Sequence, residues 1–163
     1  MGSTPTEQGF SRIERNYDRS SRGQFLLICP ECGNHHVRRF RQPDEPLIIR
    51  EREIDVSHLH WEDGKPNTAR WVCPGCGTLL SHNHHRRMMA EGYWFGDHWE
   101  WHRESGFTFL DDFDGTIGMR IWAGYSYSPN STPEKLVTEF LSVKDDAEEL
   151  KTFVNTVLGE TWE

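Results

Sequence analysis

The sequence has 163 residues, a formal net charge of -8, only 35% hydrophobic residues and four cysteines. This length limits the chain to one modest domain or two very small ones. The sequence has no apolar run long enough to cross a membrane and no signal-peptide pattern, so we expect a cytoplasmic protein with no membrane partner. The acidic balance argues against a free-standing nucleic-acid binder, which needs clustered lysines and arginines.

Charge is distributed unevenly along the chain. The first 50 residues hold eight arginines against six acidic residues, whereas residues 101–163 hold five basic residues against twelve acidic ones. Arginine suits bidentate contact with phosphate or carboxylate, so a local arginine patch is a candidate nucleic-acid contact. A solvated protein surface is the simpler interpretation of the same arginines.

A short helix is the first predicted element, within residues 9–21, because Phe10, Ile13 and Tyr17 recur there at helical spacing. Strand-like patterns follow this helix. The candidate strands are residues 25–28, 36–40, 47–50 and 70–72, and a turn is predicted at Gly64-Lys65-Pro66-Asn67. These segments predict a small antiparallel β unit around the cysteines.

The four cysteines carry the strongest chemical signal. They form two copies of C-P-x-C-G, with Cys29 and Cys32 in the first and Cys73 and Cys76 in the second. In each copy both thiolates can face one ion, and the glycine lets backbone amides approach the sulfurs. We predict one structural zinc ion per chain, held by these four cysteines and closed to water. A disulfide framework is disfavoured because no secretory signal is present, and the duplicated motif with strand-like flanks disfavours a redox pair.

A histidine-rich segment offers a rival interpretation. His82, His84 and His85 follow the second cysteine pair, and nucleases of the ββα-metal class combine paired C-x-x-C zinc sites with histidine and asparagine. Those nucleases place one histidine at a strand end and another on the following helix, whereas here the residues are almost consecutive. Ser81 is typical of a helix N-cap, so the first turn of a surface helix is the simpler interpretation.

Residues 94–128 are rich in aromatic side chains, ten in all. Such side chains could stack on unpaired bases. A small domain with few aliphatic residues also needs them for its core, and packing is what we expect for most of them.

Two helices are predicted in the C-terminal third. Thr132-Pro133 is an N-cap followed by proline at the first helical position, and an apolar stripe begins at Leu136. Asp145 or Asp146 caps a second helix that Gly159 ends. The expected fold is α+β, divided into residues 1–23 with the short helix, residues 24–128 as a zinc-ribbon β domain and residues 129–163 as a helical hairpin.

The chain resembles a known family in several segments that occur in the same order. These segments are Ser3–Thr6, Ser11–Glu14 with Tyr17, the two C-P-x-C-G motifs, His84-His85-Arg86 with Met89 and Gly92-Tyr93-Trp94, and the C-terminal string from Glu139 to Glu163. They resemble the large terminase subunit of tailed phages of the lambda-like class, and the resemblance covers nearly the whole chain.

The resemblance implies part of a DNA-packaging motor that has an N-terminal ATPase and a C-terminal endonuclease. Thr4 and Thr6 match the segment that couples ATP hydrolysis to movement, and Arg12 and Glu14 match the helix beyond it. The chain would then run from the end of the ATPase core to the start of the nuclease, expected at Glu163. The implied partners are other terminase parts, the small terminase subunit and the portal.

Neither catalytic centre of that family is evident in the sequence. The Gly64-Lys65 pair is followed by Pro66 and lacks the glycines of a Walker A motif, and no apolar strand ends in the paired acids of a Walker B motif. We therefore expect neither ATP nor DNA hydrolysis by the chain alone. The leading interpretation is an internal piece of a terminase large subunit, either a split or truncated gene product or an expressed fragment. The alternatives are a zinc-ribbon nuclease that uses His82, His84 or His85, and a free-standing zinc-binding adaptor.

Overall fold

The computed structural model describes residues 12–161, so the predicted sites Thr4 and Thr6 lie outside it. Within this range the α-helices are α1 (Arg12–Arg19), α2 (His82–Glu91), α3 (Pro133–Val143) and α4 (Ala147–Phe153), and a π-helical turn, Val154–Leu158, extends α4. The strands are β1 (Ser21–Ile28), β2 (His35–Arg39), β3 (Ile48–Ile49), β4 (Arg52–Glu53), β5 (Asp55–Glu62), β6 (Lys65–Val72), β7 (Leu79–Leu80), β8 (Tyr93–Gly96), β9 (Trp99–His102), β10 (Gly106–Phe109) and β11 (Ile117–Arg120). None of the described helices is long and apolar enough to span a bilayer.

A mixed sheet of nine strands organises the described chain. Its order is β10-β9-β8-β1-β2-β5-β6-β7, and β11 pairs with the first half of β1. Most pairings are antiparallel, but β2 runs parallel to β5 and β1 runs parallel to β11. The separate hairpin of β3 and β4 lies outside this sheet.

The expectation of a small antiparallel unit is therefore only partly correct. The cysteine motifs do lie on antiparallel hairpins, but the sheet continues through β8–β11, four short strands from the aromatic segment. The turn predicted at residues 64–67 was placed too late, because Glu62 pairs with Lys65 across a two-residue turn at Asp63 and Gly64. Gly64 has a φ of +70°, which supplies the turn, and Pro66 lies inside β6 next to an irregular stretch of pairing.

Both faces of the central strands are buried. Neighbouring residues of β1 point to opposite sides, so Phe25 and Leu27 join one core and Leu26 the other. The main core lies under the helices and contains Phe25, Leu27, Cys29, Phe40, Leu59, Ala69, Trp71, Cys73, Leu80, Met88, Trp122, Tyr125, Leu136, Val137, Phe153, Val154 and Leu158. The second core contains Leu26, Val37, Ile49, Ile54, Val56, Tyr93 and Phe95.

The C-terminal helices begin and end where the local signals placed them. Thr132 caps α3, and the Asp146 carboxylate accepts hydrogen bonds from two amides in the first turn of α4. Gly159, with a φ of +65°, ends the π-helical turn. The rings of Phe140 and Phe153 lie 6.0 Å apart, so the two helices pack against each other.

The hydroxyl of Tyr125 joins β1 to β2 at the point where their pairing stops. The two strands pair at Leu27 and Ile28. Further from the cysteines, the Tyr125 hydroxyl donates to the Phe25 carbonyl at 2.9 Å and accepts from the Arg38 amide at 2.8 Å. The Trp122 indole N–H donates to the Arg38 carbonyl at 2.9 Å. The segment around residues 122–125 thus completes backbone hydrogen bonding that the sheet leaves open.

We expect Tyr125→Phe to lower the free energy of unfolding by about 1–3 kcal/mol, because a buried amide and a buried carbonyl lose their partner. Tyr127→Phe is the matched control, since Tyr127 is 57% exposed. Urea denaturation of both variants measures the difference. Equal stability of the two variants would contradict the bridging role of the Tyr125 hydroxyl.

Candidate metal centre

The two cysteine motifs are hairpin turns of the same geometry. The first connects β1 to β2, with Ile28 paired to His35, and the second connects β6 to β7, with Val72 paired to Leu79. In the first turn the Cys29 amide donates to the Asn34 carbonyl at 2.9 Å and the Gly33 amide donates to the Cys29 carbonyl at 2.9 Å. The second turn repeats this pattern 44 positions later, with distances of 3.0 Å from Cys73 to Thr78 and from Gly77 to Cys73.

Glycine is required in both turns. Gly33 has a φ of +76° and Gly77 a φ of +74°, in the left-handed region that other residues seldom adopt. This conformation directs the chain back into β2 and β7. The repeated motif therefore encodes one local turn, used twice.

The sheet brings the four sulfurs together at one end of its central strands. The Sγ atoms of Cys29, Cys32, Cys73 and Cys76 all lie within 4.8 Å of one another, and two of the distances are 3.9 Å and 3.6 Å. A tetrahedral zinc ion with sulfurs at about 2.3 Å would place them about 3.8 Å apart. The sulfurs are free thiols, not disulfides. Their spacing and chemistry fit a single ion such as zinc.

The surroundings of the sulfurs favour thiolates once a cation is present. The Gly75 amide donates to the Cys73 sulfur at 3.3 Å. The hydrogen bond from the Thr78 hydroxyl lowers the pKa of Cys76 to about 6, whereas burial raises the pKa of Cys73 to about 12. A buried thiolate at Cys73 thus needs a neighbouring positive charge, which a metal ion would supply.

The histidines predicted as a rival site do not form a metal cluster in the structure. Ser81 precedes α2 as its N-cap, and its amide donates to Nδ1 of His84 at 3.1 Å. His85 is 5% exposed and its ring lies parallel to that of His82. Among residues 12–161, the four cysteines are the one group of three or more histidine, cysteine or acidic side chains close enough to share an ion.

The remaining predicted site residues are spread along α1. Arg12 is exposed, and the Glu14 carboxylate accepts a hydrogen bond from the Thr161 hydroxyl at 3.4 Å. The coupling role of this helix therefore stays a prediction.

Two arginines of the arginine-rich region are not on the surface. Arg38 is 1% exposed and Arg39 is 8% exposed, so the solvated-surface interpretation is wrong for this pair. Sequence reasoning missed Arg38 as a buried charge. The sequence carried no signal for this burial: strand alternation places Arg38 on the face opposite Val37, and only the folded chain decides that this second face is covered as well.

Two family models match the chain. The ATPase domain of the phage terminase large subunit gpA matches residues 1–94, and the endonuclease domain of the terminase large subunit gpA matches residues 116–163. The second match begins well before Glu163, where we expected the nuclease to start. The predicted C-terminal hairpin therefore falls within the part of the chain that resembles the endonuclease domain.

Curated relatives agree with these matches. The chain is 30% identical over 170 residues to the terminase large subunit of Enterobacteria phage P21 and 30% identical over 169 residues to that of Escherichia phage lambda. Each alignment covers 99% of this chain and 24% of the relative, so the chain spans about a quarter of the length of these relatives. No solved structure matches the chain significantly.

Proposed function

Because the chain belongs to the phage terminase large subunit family, we propose that it is a zinc-stabilised connector between the ATPase and endonuclease regions of a DNA-packaging terminase. The two family models lie on either side of residues 95–115. The connector would hold these two regions in a defined arrangement while DNA is packaged.

The observation that carries this proposal is a shared core. Phe25, Leu27 and Trp71 come from the part that matches the ATPase model, whereas Leu136 and Phe153 come from the part that matches the endonuclease model, and all five are buried in the main core. A joint of this kind transmits displacement, because packed cores resist deformation.

Polar contacts cross the same joint. The Tyr125 hydroxyl and the Trp122 indole bind backbone atoms of β1 and β2, as described above. Arg70 of β6 forms an ion pair with Glu134 of α3 at 2.7 Å. These directional contacts fix the orientation of the two parts relative to each other, in addition to the apolar contacts that hold them together.

Zinc would stabilise the sheet on which this joint is built. Cys29 and Cys73 are buried in the main core, 2% and 1% exposed, while Cys32 and Cys76 are exposed. A closed four-thiolate site leaves no coordination position for water, so the ion would be structural.

The proposed partners are the other parts of the terminase, the small terminase subunit and the portal. Contact with DNA would use arginines at the surface, such as Arg12, Arg19 and Arg41, which are exposed. By itself this chain is proposed to hydrolyse neither ATP nor DNA. Its sequence contains no Walker A motif for ATP, and among residues 12–161 no group of three or more acidic or histidine side chains lies close enough to hold a catalytic metal ion for DNA cleavage.

We expect Cys73→Ser in the complete large subunit to abolish packaging of DNA into proheads while ATP hydrolysis by that subunit persists. The control is Leu79→Ser beside the same turn, at a side chain that is 60% exposed. Normal packaging by Cys73→Ser would contradict the connector proposal.

Metal-dependent DNA cleavage by the isolated chain that His84→Ala and His85→Ala abolish would support the nuclease alternative. Co-purification with a protein other than terminase or portal would support the adaptor alternative.

A further inference from the structure

The outermost strand of the sheet, β10, has a free edge. It ends the strand order, and within residues 12–161 it pairs with β9 alone. The Leu110 amide, directly after β10, donates to the His98 carbonyl at 2.9 Å. Alternate residues of an antiparallel strand bond to the same neighbour, so the amides and carbonyls of Phe107 and Phe109 face away from β9. These backbone groups are open to an added strand.

Aromatic side chains continue the covered face of the sheet out to this edge. Directly paired residues of antiparallel strands share a face. One row of rings therefore crosses β1, β8, β9 and β10 through Phe25, Trp94, Trp101 and Phe107. The three inner rings are buried or half-buried, whereas Phe107 is 45% exposed. Phe109 lies on the same face, is 50% exposed and has its ring 5.9 Å from that of Phe107. The row thus runs from the main core to an open apolar surface at β10.

Most devices that protect an edge strand are missing from β10. Natural edge strands carry charged residues, prolines or bulges that prevent pairing with another chain. The sequence of β10 is Gly-Phe-Thr-Phe, and its four pairs with β9 run without interruption. Its short length limits an added strand to a few hydrogen bonds, so this edge favours a weak and reversible contact.

The charge beside β10 distinguishes between the candidate occupants of this edge. The flanking residues hold one exposed arginine, Arg103, against an exposed acidic rim, which consists of Glu104, Asp111, Asp112 and Asp114. Asp111 is paired with His98 at 2.9 Å. A nucleic-acid phosphate backbone would be repelled by this rim, and so would the same hairpin of a second copy. A basic protein segment would be attracted.

We infer that the free edge of β10 binds an extended protein segment in which apolar residues alternate with lysine or arginine. The main chain of this segment bonds to Phe107 and Phe109, its apolar side chains pack beside the two rings, and its cations face the acidic rim. Residues 95–115 lie outside both family matches, so this contact is separate from the two matched domains. The inference does not depend on the connector role.

The test uses the full chain, purified with its metal, and a synthetic peptide of alternating lysine and valine. Backbone amide NMR signals and hydrogen exchange are followed during titration. We expect saturable shifts at β10 and about tenfold slower exchange of the Phe107 and Phe109 amides at saturation. The Thr108 and Leu110 amides face β9 and should change by less than about twofold. Uniform slowing along β10 would contradict strand addition.

Two control peptides separate strand addition from simple charge attraction. Alternating glutamate and valine reverses the charge, and alternating lysine and glycine keeps the charge but removes the apolar side chains. Both should bind at least about tenfold more weakly than the lysine–valine peptide. Equal binding of either control would overturn the inference. Binding of single-stranded oligothymidine at β10 in place of the peptide would indicate base stacking, and self-association through β10 would indicate a second copy; both results would also overturn it.

Two variants of matched exposure locate the site. Phe109 and Leu110 are 50% and 49% exposed, and strand alternation places them on opposite faces. Threonine is favourable in strands, so both Phe109→Thr and Leu110→Thr should fold. We expect Phe109→Thr to weaken binding of the lysine–valine peptide by about tenfold and Leu110→Thr by less than about threefold. Absence of saturable shifts in the unaltered chain, or equal weakening by both variants, would count against the site.

Discussion

Removal of the metal ion should unfold the cysteine end of the sheet, and Cys73→Ser should do the same by removing one ligand. Cys73 is 1% exposed and belongs to the main core, so its loss affects core packing as well as coordination. Structural zinc sites contribute about 10–16 kcal/mol of apparent binding free energy, which is coupled to folding. We expect Cys73→Ser to lower the free energy of unfolding by more than about 3 kcal/mol.

Elemental analysis and denaturation measure this result. The purified chain should contain one zinc ion, and a chelator should lower its thermal stability and the hydrogen-exchange protection of the Cys29 and Cys73 amides. Leu79→Ser tests the same region without touching a ligand and should change stability by less than about 0.5 kcal/mol, because Leu79 is exposed. Absence of zinc, or unchanged stability of Cys73→Ser, would count decisively against the metal centre.

Phe153→Asp should destabilise or aggregate the chain, with a loss of more than about 4 kcal/mol. Phe153 is 3% exposed, and its ring lies 5.7 Å from Phe40, which directly follows β2, and 6.0 Å from Phe140 of α3. The substitution removes the side chain that joins three elements and places a carboxylate in the main core. It therefore tests whether the helical hairpin and the sheet share one core.

The neighbouring residue provides the matched control for this second prediction. Thr152 is exposed on the same helix, so Thr152→Asp introduces the same charge at the surface and should cost less than about 1 kcal/mol. Circular dichroism during thermal unfolding and size-exclusion chromatography distinguish the two variants. If Phe153→Asp were as stable as Thr152→Asp, the buried face of α4 would not support this fold.

The features that sequence reasoning predicted correctly all depend on interactions between residues that are close in the sequence. The cysteine turns depend on five consecutive residues and a glycine with positive φ, as Gly33 and Gly77 show. The caps at Thr132 and Asp146 act within one helical turn. Local chemistry dominates at such positions, so a single sequence suffices to predict them.

The pairing of strands far apart in the sequence was not predicted, because short strands show little alternation of apolar and polar residues. β8–β11 have four residues each, too few for a clear alternation, and β11 pairs in parallel with β1, nearly 100 residues earlier. Their aromatic residues were correctly expected to pack in part, but Phe107 and Phe109 are 45% and 50% exposed. Only the assembled sheet shows which ring is buried.

The same division separates the cysteine cluster from the burial of Arg38. Motif spacing was enough to identify Cys29, Cys32, Cys73 and Cys76 as one candidate ligand set, because each pair is local and thiolates have few competing roles. The burial of Arg38 depends on its contacts with His85, Gly124 and Trp71, the most distant of which lies 86 positions away in the sequence. The residue type alone does not tell whether an arginine is buried or exposed. Only the tertiary packing decided that the charged guanidinium of Arg38 would be excluded from water.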